Sequence, residues 1–384
     1  MYKLAVTLPP FSPDYSGICS ALFELGGTLI IHDASGCTGN YTGYDEPRWF
    51  YSKSMVYCSA LSNMDAVMGN DEKFIEKICK AALELSPEFI CIMGSPVPMV
   101  IGSDLHGMAV EIEAKTGIPA FGFASTGLKY YDIGVSEALL AVSKRFVTHA
   151  YEKIPHSINL LGATPLDFTS NSNVRDYVNE FEKRGVKVNA VFAMNNDLEK
   201  LKKSSSASVN VVISASGYML AQHFLRQFGT PYVIGQPIGE RNSDKLCELI
   251  HLAENTGDNL FQKMNNEKEA EILIIGEQVT MHSLRCCLQE DFEITGTDIG
   301  YPFMNISEIT ALSDIALTSE NAMMKAVNSG KYSCVIGDPL YSHIIKRPVN
   351  FIPLPHVAVS SKLYWNNDKS LAGQKIKNIL RGLI

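Results

Sequence analysis

Short, nearly continuous apolar runs recur along the chain, at 28–32, 89–93, 158–162, 186–192, 209–214, 232–235, 271–276 and 333–337. They are rich in Val, Ile and Leu, and most end in or run into Gly or Ser. A strand that must bury both faces needs this kind of unbroken apolarity, which is the signature of a parallel sheet. Between the runs, apolar residues return at helical spacing over 71–85, 104–116, 135–150, 173–184, 218–228, 245–265 and 280–290. Strands alternating with helices of this length read as βαβ units, so the expected class is α/β.

The alternation restarts twice. Ile154-Pro155-His156 leads into one fresh apolar run, and Asn265-Asn266-Glu267-Lys268-Glu269 leads into another. Three Rossmann-like units with parallel sheets follow, at 1–155, 156–267 and 268–384. Open parallel sheets bind ligands at the carboxyl ends of their strands, near the point where the strand order reverses. Several strands end there in small residues, Ser35-Gly36, Gly94-Ser95, Gly162, Ser214, Gly276 and Gly337, which let a ligand approach the backbone or, for most of the glycines, simply make the βα turn.

Composition narrows the partners. The 384 residues are 46% hydrophobic and 19% charged, as in a globular chain, and the net charge is −8. Lys and Arg are scattered, so nucleic acid is not an expected partner. No apolar run reaches membrane-spanning length, and the start of the chain does not read as a signal peptide, so a cytoplasmic location is expected. In that compartment the nine cysteines read as free, buried or metal-bound rather than paired.

Two of them stand in loops. The strand Ile30-Ile31-His32 runs into Asp33-Ala34-Ser35-Gly36-Cys37-Thr38-Gly39, and Tyr57-Cys58-Ser59 follows about twenty residues on. Thiolates in such positions suit iron–sulfur or zinc. There is no Cys-Xaa-Xaa-Cys, and two thiolates fill half of a four-ligand shell. Cys91, Cys334, Cys79 and Cys247 read as core residues of strands and helices, and so does Cys19, ahead of the first long helical turn. In Cys286-Cys287, one thiol of a helical pair is expected to face outward. His32 reads as a structural histidine at the loop, and His282 and His356 have no partner at ligand spacing. Asp45-Glu46-Pro47-Arg48-Trp49 reads either as a docking face or as a solvated loop. Neither a P-loop nor a Gly-Xaa-Gly-Xaa-Xaa-Gly fingerprint occurs, so neither ATP nor a nicotinamide dinucleotide is expected here.

His32-Asp33-Ala34-Ser35-Gly36-Cys37 resembles the His-Gly-Xaa-Xaa-Gly-Cys segment of nitrogenase component 1 subunits and their relatives. The stretch Ser59 to Asn70, then Val100-Ile101-Gly102-Ser103-Asp104-Leu105, then Phe228-Gly229-Thr230-Pro231-Tyr232 with Pro237-Ile238-Gly239, resemble further segments of that family in the same order. The resemblance implies an iron–sulfur cluster ligated by Cys37, with Cys58 as second ligand and Gly36 and Ser95 beside it. Family members with a third ligand carry Cys where this chain reads Gly94-Ser95-Pro96-Val97, a stretch in which Ser95 would be a weaker oxygen ligand. That departure implies a [4Fe-4S] cluster shared by Cys37 and Cys58 of two subunits, either identical or related chains, and not an eight-iron cluster.

It further implies the catalytic component of a two-component reductase. Electrons would come from a separate ATP-hydrolysing, iron-protein-like partner, and the substrate would sit between the three units. Two other readings stand beside it: a scaffold or carrier that hands a metallocluster on, and a binding protein whose cysteines are bystanders. The iron–molybdenum cofactor ligands of nitrogenase have no clear match, which turns the expectation away from dinitrogen.

Overall fold

The structure, a computed structural model, describes residues 5–51, 54–263, 269–367 and 369–383. Three parallel sheets carry it. The first contains β1 (Thr28–His32), β2 (Met55–Cys58), β3 (Ile90–Gly94) and β4 (Ala120–Phe123), in the order β2-β1-β3-β4. The second contains β5 (Ile154–Leu161), β6 (Lys187–Val191), β7 (Ala207–Val212), β8 (Tyr232–Ile234) and β9 (Leu260–Phe261), ordered β6-β5-β7-β8-β9. The third contains β10 (Ile272–Ile275), β11 (Thr297–Tyr301), β12 (Ile315–Ala316), β13 (Cys334–Gly337) and β14 (Asn350–Pro353), ordered β12-β11-β10-β13-β14. The expected division between residues 267 and 268 lies outside the described residues.

Each sheet steps one way from its first strand and then returns to the other side. The order therefore reverses between β1 and β3, β5 and β7, and β10 and β13. The central strands are buried from end to end, as in β1 and β3, which is why they read as unbroken apolar runs. Edge strands are different. β4 (Ala-Phe-Gly-Phe) is mostly half-buried, and β12 has two residues, so neither carries a sequence signal.

Helix boundaries follow the capping chemistry. The helix expected at 245–265 is Glu240–Thr256; it stops at Gly257, whose φ of +76° suits glycine. The helix expected at 135–150 is Tyr131–Phe146. Cys19, expected ahead of the first helix, lies inside helix Asp14–Leu22 and is fully buried.

Helix Asp14–Leu22 crosses helix Tyr131–Phe146 at backbone contact. A Cβ added at Gly17 would stand 1.9 Å from the Tyr131 carbonyl oxygen, and one at Gly134 2.0 Å from that of Asp14. Only glycine permits this approach.

The units share one apolar core, to which Leu29, Leu161 and Leu273 of the three sheets contribute, and carboxylates accept backbone N–H groups across the boundaries. Glu24 accepts from Asn195 N (2.7 Å), Glu277 from Ala215 N (2.8 Å) and Asp291 from Glu240 N (2.8 Å). The segment expected as a docking or solvated loop belongs to this seam. Asp45, Glu46 and Arg48 are buried; Arg48 pairs with Glu46 (2.7 Å) and Glu24 (3.0 Å) and donates to the Ala193 carbonyl of the second unit (3.0 Å). Among these residues only the end of the stretch, from Trp49 on, reaches the surface. An arginine so placed is held by complete pairing, because an unpaired buried charge is costly.

Candidate functional site

The reversal point of the first sheet carries Cys37 and Cys58, which the structure places not in loops but in the short helix Gly36–Asn40 after β1 and at the last position of β2. β1 ends at His32, and the next residue, Asp33, gathers the loop. Its Oδ2 accepts from the backbone N–H of Ser35 (2.9 Å), Cys37 (2.9 Å) and Thr38 (3.3 Å), while Oδ1 accepts from Ser95 Oγ (3.0 Å). The Asp33 carboxylate thus ties the end of β1 to the end of β3. It also holds Ser35 at φ +143°, a region that favours glycine, at a cost of about 1–3 kcal/mol.

Cys58 closes the other side. It ends β2, opposite Ile31, and its Sγ accepts from Ala60 N (3.3 Å) and lies 3.4 Å from the Asp33 carbonyl oxygen. Ser59 Oγ accepts from Asp33 N (3.0 Å), and His32 Nδ1 lies 2.9 Å from the same oxygen. His32 is buried and packs on Phe74, ring centroids 4.4 Å apart, so it serves the loop from behind as a structural residue.

Cys37, Cys58 and Ser95 are therefore all bonded to one residue, Asp33. Both cysteines are half-buried and Ser95 is fully buried. A Cβ at Gly36 or Gly39 would meet nothing within 4 Å, so open space flanks the Cys37 loop. Burial pushes the Cys37 thiol up; hydrogen bonds from Tyr15 and Ser95 oppose this, and the Asp33 charge reinforces it. A nucleophilic cysteine needs the opposite shift, a stabilised thiolate.

Cys286 and Cys287 take no part in this rim. Both are buried in helix Gln278–Phe292, which corrects the expectation that one of them faces outward. The helix packs against helix Glu240–Thr256 of the second unit as well as against its own sheet, so both of its faces are covered.

The reversal points of the second and third sheets face a cavity of about 540 Å³. Asp167 follows β5, Glu277 follows β10, and His356 follows β14. Asp167 Oδ1 accepts from Tyr131 of the first unit and lies 3.0 Å from His356 Nε2; Oδ2 accepts from Ser214 Oγ (3.0 Å). Glu277 accepts from Ala215 N, Val279 N and Thr280 N and Oγ1. Burial and then the Asp167 charge push Glu277 up to about 7, despite those donors. His356 Nδ1 is buried without a hydrogen-bond partner among the described residues. The histidine had no partner visible in the sequence because Asp167 lies 189 positions away. His282 is buried elsewhere, with Nε2 3.0 Å from the Gln262 carbonyl oxygen.

Asp33, Glu277 and Asp167 are site residues that sequence reasoning passed over. Asp33 and Glu277 are acids within two residues of the end of a buried apolar strand, a placement that was the available signal, whereas Asp167 lies six residues past β5 in the short helix Pro165–Phe168.

A three-sheet α/β chain with two thiols at one strand-order reversal and an acid–base cavity at the other two belongs to the class of multi-unit Rossmann-like proteins. Comparison narrows the class: the profile of nitrogenase component 1 type oxidoreductases matches residues 15–279, and the chain belongs to that family. It is 25% identical over 186 residues to a subunit of the light-independent protochlorophyllide reductase of Nostoc punctiforme, covering 44% of this chain and 36% of that one. Against the corresponding subunit from Chlorobium limicola it is 30% identical over 166 residues, 42% of this chain and 30% of the relative. Against the nitrogenase iron–molybdenum cofactor biosynthesis protein NifE of Methanococcus maripaludis it is 24% identical over 217 residues, 55% and 44% of the two chains. Each alignment thus spans less than half of the relative's length. The solved structure of nitrogenase Cp1 at pH 6.5 superposes with a TM-score of 0.69, covering 99% of this chain and 94% of that one at 13% identity. The fold is that of a nitrogenase component 1 chain.

Proposed function

We propose that this chain is the catalytic component of a two-component, ATP-dependent reductase, in which Cys37 and Cys58 hold an iron–sulfur cluster at a contact between two such chains. The observation that carries the reading is the convergence of both cysteine-bearing segments on Asp33, with both cysteines half-buried and open space beside Cys37. Two thiols supply half of a four-ligand shell, so the same pair from a second chain, identical or related, completes a [4Fe-4S] site.

The surroundings support a contact there. Tyr57, Met64, Val67, Met68, Val97 and Val100 are exposed on the strand end and the two short helices Asn63–Met68 and Pro96–Ile101 that flank the thiols. An apolar surface of this kind next to a half-filled ligand set suits a second subunit.

When bound, the cluster supplies one-electron chemistry at low potential. Electrons would be delivered by a separate iron-protein-like ATPase. The chain's own residues do the rest. Asp33 fixes the loop carrying Cys37, and Ser95 and Gly36 shape the space around its sulfur. In the cavity, Asp167 and His356 orient a bound substrate through their hydrogen-bonding atoms, and Glu277 gains or loses a proton near neutral pH.

Anaerobic reconstitution with iron and sulfide tests the reading. The expected product is a brown protein whose iron and electron paramagnetic resonance signal are lost in Cys37→Ala and strongly reduced in Cys58→Ala. Colourless wild-type protein, or a Cys37→Ala variant with full iron, would overturn it. A second reading, a scaffold that builds or carries a metallocluster, is favoured by the similarity to the NifE biosynthesis protein. Transfer of the cluster to an apo-acceptor without turnover would decide for it.

A further inference from the structure

We propose that His156, His251 and Glu254 form a site for a divalent transition metal, of the zinc, cobalt or nickel class, on the outer face of the second unit. Nothing in the cluster reading assigns these residues a role, and no cysteine takes part.

His156 stands near the start of β5, while His251 and Glu254 occupy neighbouring positions on one face of helix Glu240–Thr256. Glu254 Oε2 lies 3.1 Å from His156 Nδ1 and 3.9 Å from His251 Nδ1, and one ligand atom of each residue falls within 4.8 Å of the others. Around a tetrahedral metal with bonds of about 2.0–2.1 Å, ligand atoms sit roughly 3.3 Å apart. Small rotations of two exposed imidazoles close that gap without moving the backbone.

The backbone places the ligands. β5 slips register against β7 between Ile154 and Ile158, and His156 within the slip holds φ +55°. Bulges of this kind re-aim a side chain, here toward the helix. Glu254 Oε1 accepts the His156 backbone N–H (2.7 Å), which fixes the carboxylate and leaves Oε2 toward the two rings. Glu254 is in the last helical turn, which contains no basic residue, and the carbonyl end of a helix favours a cation.

The donor set chooses the metal. Two imidazoles and one carboxylate suit zinc and its neighbours, whereas magnesium and calcium prefer oxygen alone. Side-chain exposures of 64% for His156 and 40% for His251 leave the outer side open to water as the fourth ligand. A metal here would clasp β5 to the helix that covers the second sheet.

Titration of the full chain with zinc chloride alone, against a chromophoric chelator, tests the proposal. The wild type is expected to hold one equivalent at this site. His156→Ala, His251→Ala and Glu254→Gln should each weaken that equivalent at least about tenfold, while the metal-free melting curves of the two histidine variants stay unchanged. Saturating zinc should raise the melting temperature of the wild type and leave that of His156→Ala in place. Wild-type binding of no stoichiometric zinc, or histidine variants that bind it as tightly as the wild type, would overturn the assignment.

Discussion

Asp33 shows how much one carboxylate can organise. Its two oxygens serve three backbone amides and a serine hydroxyl, and its own amide and carbonyl are held by Ser59 and Cys58. Replacing it with Ala removes an acceptor from donors that are partly out of water, which costs about 1–3 kcal/mol. Asp33→Asn keeps the shape but offers one good acceptor, so it should lose less stability. Both variants should reconstitute with clearly less iron than the wild type, and a thermal melt alongside an iron assay separates the two effects. Glu277 gives a pH prediction. Its carboxyl is raised to about 7 in the fold, above its ordinary value near 4.5. Between those values the folded chain binds more protons than the unfolded one, so this group's contribution is fully present at low pH. It is lost as pH rises through about 7. Asp45 and Asp132, each raised by burial to about 6, act with the same sign. His282, lowered to about 3 by burial and the Arg285 charge, acts with the opposite sign over the same range, as do His32 and His223, lowered by burial. The Glu277 contribution is therefore read as a difference: relative to Glu277→Gln, the urea midpoint of the metal-free wild type should fall from pH 5 to pH 8, and the variant should be less stable throughout, because its amide nitrogen faces donors.

At the scale of elements, the close crossing of helices Asp14–Leu22 and Tyr131–Phe146 holds Tyr131 behind the cavity, where its hydroxyl donates to Asp167. Gly134→Ala places a methyl 2.0 Å from a carbonyl oxygen, so the helices must part. Overpacking of this sort costs about 1–3 kcal/mol, and the melting temperature should drop by several degrees. This contact left no trace in the sequence, since a glycine in a helix looks the same whether or not another backbone rests on it. The central strands were legible for the opposite reason: burial on both faces compels unbroken apolar residues, as in Leu29-Ile30-Ile31 and Ile90-Cys91-Ile92. β4 and β12 were not, because half-buried and two-residue edges impose little pattern. Cys37 and Cys58 could be singled out because loop thiols beside strand ends are chemically unusual. Their anchoring through Asp33, and the pairing of Asp167 with His356, depend on tertiary contacts between elements. Cys286 and Cys287 misled because their helix looks one-sided from sequence, whereas a neighbouring unit covers its second face.

For the whole molecule, three repeats of one sheet plan give three strand-order reversals. One holds the thiols and the other two meet at the 540 Å³ cavity. Among the described residues no helix is long and apolar enough to cross a membrane. In the proposed reading the exposed Val67, Met68 and Val100 face the second chain that completes the cluster site. Val67→Lys combined with Val100→Lys should weaken association and lower iron per chain together, leaving the unfolding curve of the single chain unchanged. The most direct measurement is anaerobic native mass spectrometry of the reconstituted protein. The expected species is two chains carrying one [4Fe-4S] cluster, roughly two irons per chain, which falls apart into metal-free single chains in Cys37→Ala. A single chain that keeps a complete cluster of its own, or a pair whose iron survives Cys37→Ala, would contradict it.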